Sequence, residues 1–251
     1  MYKFFAVAFV LLITTAAFAQ KDSTVTHKPP VKKEKKDWSK VLLGNRSNDH
    51  LVIQLGYDNW VGAPDSIKIT GIGRSFNWYF MFDFPFKTDP RFSVAAGLGV
   101  GWSNIYFDKQ QVLVASLNPT LAFPDNAGSN HFKKYKLVTA NLQLPIELRF
   151  ALDPENTNQS WKFAVGIKVG TMLSGYTKAK NLLNSAGQPI NNYIEKEVSK
   201  KYFNTTSLIG TFRISYGVLG IFAQYQLSPL IKNGLGPTIN PYSIGFQISG
   251  L

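Results

Sequence analysis

The 251-residue chain has no cysteine and only three histidines. The first absence excludes a disulfide framework, a thiolate metal site and a lipid-modified cysteine behind a leader. The second leaves only His27, His50 and His131, with no paired-histidine spacing to hold a metal. Acidic residues are also few: 15 Asp and Glu stand against 27 Lys and Arg, for a formal net charge of +12. Long apolar runs are missing too, apart from Phe4 to Phe18. That run falls short of the ~20 residues a spanning helix needs. It follows Lys3 and leads into the small-x-small site Ala17, Phe18, Ala19, which predicts a secretory signal peptide over residues 1–19. Any membrane passage of the mature chain must then be made by strands closed into a barrel, the only other way to satisfy every backbone polar group in lipid.

Much of the positive charge sits in one place. Lys21, Lys28, Lys32, Lys33, Lys35, Lys36 and Lys40 crowd a stretch with Pro29, Pro30 and few apolar residues. Residues 20–48 read as a disordered basic tether in the periplasm, since like-charge runs stay solvated. An exported chain rarely meets nucleic acid, so none is expected as a partner.

From residue 49 to 251 the pattern has period two. Phe92, Val94, Ala96, Leu98, Val100 and Trp102 alternate with Ser93, Ala95, Gly97, Gly99, Gly101 and Ser103. Successive strand residues point to opposite faces, so one face is bulky and apolar while the other holds very small groups. A solvated sheet would put longer polar side chains there. Large residues facing lipid and small ones crowding a narrow tube give this arrangement. Further segments repeat the alternation: Leu51 to Asp58, Ser75 to Phe84, Leu137 to Phe150, Trp161 to Gly170, Ser207 to Tyr216, Leu219 to Ser228 and Tyr242 to Ser249. Each is near the ~9–11 residues of a tilted strand crossing.

The expected fold is therefore all-β: an eight-stranded antiparallel up-and-down transmembrane β-barrel behind an N-terminal signal peptide. Short links after the second, fourth and sixth segments alternate with longer ones at 59–73, 104–131, 175–201 and 231–240, which predicts periplasmic turns and external loops. Aromatic girdles are expected at both rims, from Phe84, Phe86, Phe92 and Trp161 at one and from Tyr57, Trp60, Trp102 and Tyr176 at the other. The last segment turns Phe246 and Ile248 outward, leaving Leu251 on the opposite parity.

The inward-facing set carries Asp83, Glu147, Arg149, Lys162, Lys168 and Arg213. An interior of eight strands is just wide enough to be filled by side chains. These charges are expected to pair across the lumen and plug it, most of them near the turn end with Lys168 somewhat higher. The alternative is a gated path or binding site for small hydrophobic or anionic solutes. Parts for catalysis are scarce, because a base and a nucleophile must meet on a rigid frame. His50 and His131 belong at opposite ends, and Asp125, Ser129 and His131 share one Gly-containing loop. No catalytic residue, cofactor or metal ligand is assigned, and the chain is read as non-enzymatic. Gly97 to Gly101 lies on a strand and is no phosphate cradle, which needs a following helix. Lys178, Lys180, Lys196, Lys200 and Lys201 are placed in external loops, where they can meet lipopolysaccharide or a secreted partner.

Three stretches carry a resemblance: Ala140 to Phe150 (ANLQLPIELRF), Phe163 to Gly170 (FAVGIKVG) and Tyr225 to Leu230 (YQLSPL), followed by a final alternating strand. The chain resembles the small PorT-like outer-membrane β-barrels of the Bacteroidota, from about Leu51 to Leu251. That resemblance implies an outer-membrane location and a structural or accessory role, in some members beside type IX secretion and gliding machinery. It implies no catalytic pattern. The expected partners are outer-membrane lipid, lipopolysaccharide and a periplasmic or secretion-machinery protein, and the barrel is expected to be a monomer.

Overall fold

The computed structural model describes residues 50–250. The signal-peptide reading for 1–19, the tether reading for 20–48 and the parity of Leu251 lie outside the described residues. Among those described, nine strands form one antiparallel sheet. In chain order they are β1 (Leu51–Val61), β2 (Gly73–Pro85), β3 (Phe92–Phe107), β4 (His131–Ala151), β5 (Trp161–Leu183), β6 (Pro189–Val198), β7 (Thr206–Tyr216), β8 (Leu219–Gln226) and β9 (Asn240–Ser249). Eight of them close on themselves, because β1 pairs with both β2 and β9 while β5 pairs with β4 and β7. The ninth, β6, pairs with β5 alone and stays outside the ring.

The alternation in the sequence is the alternation of the wall. Phe76, Trp78, Phe80, Phe82 and Phe84 of β2 are all exposed on the outside, while Tyr79 and Met81 between them are buried. Phe246 on β9 is 75% exposed and its neighbour Gln247 is 2% exposed. An apolar skin of this extent around the whole ring needs lipid to cover it. No helix of the described residues is long and apolar enough to cross a membrane.

Register fixes the tilt. The row through Trp78 passes Val100 and Leu142 to reach Thr171 on β5. In the other direction it passes Ile53, Ile248, Leu219 and Tyr216 to reach Trp161 on the same strand. The two arrivals lie ten residues apart, and such a stagger requires strands inclined to the barrel axis. The small inward residues of β3 answer a bulky neighbour: a methyl on Gly99 would run into the Tyr79 ring and the Trp78 carbonyl.

One end carries the short connections, at 86–91, 152–160 and 217–218. Gly217 adopts φ 56° in the tightest of them, a conformation that favours glycine. The other end carries the long connections, and here the structure departs from the sequence expectation in three places. The stretch 175–201, read as a loop, continues β5 to Leu183 and returns as β6. A bulge makes this possible: Asn141 pairs with Met172 and Ala140 with Ser174, leaving Leu173 as the extra residue on β5. Inward parity on β5 then passes from even residues below the bulge to Gly175, Thr177 and Ala179 above it. Similarly, β3 runs on to Phe107 before its loop begins. Trp60, assigned to the outer girdle, is buried, because its parity follows Asp58 into the interior, where its ring meets Phe107 at 5.6 Å.

Candidate functional site

The interior is the only place where this fold gathers charge away from solvent among the described residues, and strand register decides which charges meet. Asp83 lies opposite Ala95, Ala95 opposite Glu147, and Glu147 opposite Gly166, so two small residues make room for two carboxylates. Arg149 and Arg213 face each other across Ala164. The result is an ionic belt near the turn end. Arg213 Nη2 lies 2.5 Å from Glu147 Oε2, and Arg149 Nε lies 3.2 Å from the same oxygen. Arg149 Nη1 reaches Asp83 at 3.6 Å. Ser93 donates to Asp83 at 2.7 Å, and Arg213 Nη1 donates to Gln247 Oε1 at 3.3 Å. Two guanidinium groups thus balance two carboxylates, which is what makes four charges tolerable at this burial.

Lys168 sits one layer higher and is 1% exposed. Its ammonium donates to Tyr79 Oη at 2.9 Å and to Gln224 Oε1 at 2.9 Å. The Tyr79 hydroxyl in turn donates to Gln143 Oε1 at 2.5 Å, while Gln54 Nε2 donates to Gln247 at 3.2 Å. This layer holds the lysine through neutral oxygens. Asp58, higher again, accepts from Ser243. Lys162 lines the turn-end mouth beside Asp83, Arg149 and Arg213. All six charges picked from the sequence therefore face the interior. Asp83, Glu147, Arg149 and Arg213 are joined, Lys168 is held by a separate polar layer, and Lys162 stands at the mouth.

Among the described residues the lumen holds small cavities. One, of 30 Å³, lies at the turn-end mouth. Another, of 50 Å³, is lined by Asp58, Ser75, Asn77, Gln143, Gln224 and Ser243 among others. Glu147, Lys168 and Tyr79 line neither, so the belt and the lysine layer stand between them. A space of this size holds one or two waters rather than a solute.

Above the upper cavity the chemistry changes completely. The long connections bring Val112, Val114, Leu121, Tyr202, Phe203, Leu230, Ile231 and Ile239 onto the inward residues Trp60, Ile105, Phe107, Tyr135, Leu137 and Met172, forming one buried apolar core. Polar groups stitch it together. Tyr135 Oη accepts from the Val112 amide at 3.1 Å and donates to its carbonyl at 3.0 Å. Gln110, also buried, accepts from the Lys68 amide at 2.8 Å and donates to the carbonyls of Ser66 and Phe123. Leu121 donates to the Leu235 carbonyl at 2.7 Å, and Asn204 donates to that of Pro229 at 2.7 Å. These loops are a cap, not loose recognition arms. The sequence reading missed it entirely; the signal was a scatter of single aliphatic residues through 105–121 and 202–239, without any period.

The remaining candidates separate as register requires. His50, just before β1, donates from Nδ1 to the Met81 carbonyl, 2.8 Å away. His131, at the start of β4 and the opposite end, lies 3.1 Å from the Ser129 carbonyl rather than its hydroxyl. Asp125 is engaged by Lys68 at 2.5 Å, which holds its carboxyl below the usual range. Among the described residues no three His, Asp or Glu side chains are arranged to hold a metal ion. Lys200 and Lys201 belong to the cap: Lys201 Nζ donates to the carbonyls of Ser116 and Asn118 at 3.2 and 3.1 Å. Lys178, Lys180 and Lys196 instead lie on the strands of the β5–β6 hairpin.

With the barrel and its interior described, comparison with known proteins gives three findings. Residues 18–233 match the family described as outer membrane protein beta-barrel domain. No curated protein matches the chain. Among solved structures it is similar to Ail, the attachment invasion locus protein of Yersinia pestis, at 12% identity and a TM-score of 0.36, over 81% of this chain and 99% of that one. The same protein in complex with the heparin analogue sucrose octasulfate gives 12% identity and a TM-score of 0.32, over 79% and 96%.

Proposed function

The chain belongs to the outer membrane protein beta-barrel domain family, and from that membership we propose that it is a non-enzymatic, non-conducting barrel serving as a structural or accessory component of the outer membrane. The observation that carries this reading is the double closure of the lumen, by the Glu147–Arg149–Arg213 belt at one end and the apolar cap at the other. A solute path needs a continuous polar tube, and the loop end offers buried aliphatic and aromatic side chains instead. The alternative, a passive channel or a binder of small solutes, draws no support from cavities of 30 and 50 Å³.

The short turns belong to the periplasmic side and the capped loops to the cell surface, as in barrels of this kind. An even number of wall strands then returns both chain ends to the periplasm, where residues 20–48 reach a periplasmic or secretion-machinery protein. The resemblance to PorT-like barrels favours a place beside a type IX secretion or gliding apparatus. The barrel acts as a monomer, since its eight-stranded wall closes without a second copy.

Planar-bilayer recording tests the closure: the folded protein is expected to give no stepwise current, and stable openings would overturn the reading. Crosslinking and pull-down from the native membrane test the accessory role. A partner that is lost on deleting residues 20–48 supports the tether as its contact, and an unchanged partner set removes the tether from the proposal.

A further inference from the structure

On the outside of the barrel three apolar strands, β2, β4 and β5, end in cations on the loop side. On β2 the outward row Phe84 to Phe76 gives way to Arg74, and on β4 the row Phe150 to Val138 gives way to Lys136 and Lys134. On β5 the bulge keeps Tyr176, Lys178 and Lys180 outward above Leu173. Register then sets like charges against each other. Lys134 faces Lys180, and Lys136, Lys178 and Lys196 form a direct row across β4, β5 and β6. Like charges directly opposite destabilise a sheet. The two glutamates of β6 do not offset them: Glu195 and Glu197 pair with Ala179 and Thr177 and so occupy the other face of β6. Among the described residues neither Arg74 nor any of these five lysines forms an ion pair. Two of the side chains are held by neutral groups, with Lys136 donating to Asn104 Oδ1 at 2.7 Å and Lys196 lying 4.3 Å from the centre of the Tyr176 ring.

Two surface features share these strands. A cleft of 340 Å³ opens beside the ledge, lined by Thr70, Arg74, Tyr106, Lys133 and Lys134 among others. Below it, starting four residues down β2 at Trp78, an apolar groove of 580 Å³ runs between the Trp78–Phe84 aromatics and Leu98, Val100 and Leu142. A cationic cleft set above an apolar groove on one stretch of wall matches a molecule with a phosphorylated head and hydrocarbon tails. A free phosphate has no use for the groove.

We infer that the β2–β6 face binds a phosphorylated glycolipid of the outer leaflet, with Arg74, Lys134, Lys136, Lys178 and Lys196 on its phosphates and its acyl chains along the groove. The ledge stands just above the hydrocarbon band, at the height of lipid headgroups, where unpaired lysines attract anionic lipid. This inference rests on the orientation proposed above, with the loops at the cell surface.

The test is native mass spectrometry of the folded protein in detergent, titrated with bisphosphorylated lipid A, its dephosphorylated form, phosphatidylethanolamine or inorganic phosphate. Bisphosphorylated lipid A is expected to stay bound, and K134Q/K136Q/K178Q is expected to weaken it about a hundredfold, while K134R/K136R/K178R keeps it. Gel mobility before and after boiling shows that each variant is folded. Equal retention by the glutamine variant, equal binding of the dephosphorylated lipid, or displacement by inorganic phosphate would each overturn the site. Orientation is read separately from Ser185→Cys in this cysteine-free chain. Labelling of intact cells by an impermeant maleimide without lipid A binding rejects the site alone, and absence of labelling rejects the orientation and the site with it.

Discussion

The two ends of the lumen solve one problem, an interior that must not stay empty, with opposite chemistry. Near the turns the strands themselves supply long charged side chains, and Asp83, Glu147, Arg149 and Arg213 fill space while cancelling one another. Near the loops the chain leaves the strands and packs Val112, Leu121, Phe203 and Ile231 over the opening. The contrast follows from what each end has to work with. Inside the wall every position is fixed by register, so a charge can be placed against its partner and held. Above the wall register is lost, and only the non-directional attraction of apolar groups can gather four separate connections into one body.

The contrast predicts different responses to damage. The largest effect belongs to the belt: Glu147→Ala strands the buried Arg213 guanidinium, leaves Arg149 with Asp83 alone and should cost about 3–5 kcal/mol of barrel stability. Urea unfolding followed by the heat-dependent gel shift measures it. Replacing all four belt charges together, as in D83L/E147L/R149M/R213M, should recover most of the loss, since an apolar filling of similar volume is tolerated where a half-removed ion pair is not. A variant as unstable as Glu147→Ala alone would show that the belt does more than fill space.

Phe203→Ala comes next. It opens a hole in the cap worth about 3 kcal/mol, yet the wall hydrogen bonds are untouched. Protease should cut within 108–130 or 199–205 while the barrel band survives, and loss of the barrel band instead would mean that the cap is not a separate cooperative unit.

Tyr135→Phe is milder. Removing the hydroxyl that serves both the amide and the carbonyl of Val112 should cost about 1–2 kcal/mol, confined to the cap. Faster hydrogen exchange at Val112 than at β2 amides is the expected sign. Uniform acceleration throughout the barrel would contradict the division into two regions.

The smallest effects lie on the surface. Arg91 holds the carboxyl of Asp89 below its ordinary value at the turn end, as Lys68 does for Asp125 at the loop end. Each lowered carboxyl contributes at neutral pH and loses its contribution only as the pH falls below the ordinary carboxylate range. Exposed pairs of this kind contribute little. Asp89→Asn and Asp125→Asn should leave the unfolding midpoint at neutral pH unchanged, and a clear shift would show that a surface pair anchors a turn or the cap.

The same contrast explains what could be read in the chain. The wall was legible because lipid on one side and a packed lumen on the other enforce a strict period of two, and Phe76 to Phe84 or Leu142 to Phe150 display it without interruption. The belt was legible for the same reason, since inward parity picked out Glu147, Arg149 and Arg213 before any partner was known. The cap obeys no period. Val112, Phe203 and Ile239 are isolated among Asn, Ser, Gly and Lys, and only tertiary contact makes them a core. β6 escaped because both its faces are exposed, so its sequence has no apolar and polar alternation to detect. The lysine ledge was half seen: Lys178, Lys180 and Lys196 were noticed as loop charges, while Lys134 and Lys136 went unremarked because β4 begins at His131, six residues before the segment read from the sequence.

The claim on which the rest depends is that the lumen is sealed from the loop end. It is tested most directly by Ser75→Cys, which places a lone thiol beside the upper lumen cavity, in folded protein exposed to a small impermeant thiol reagent. The account predicts labelling only after unfolding, with Ser185→Cys labelled at once under the same conditions. Rapid labelling of the native Ser75→Cys variant would contradict it and return the barrel to the class of open channels.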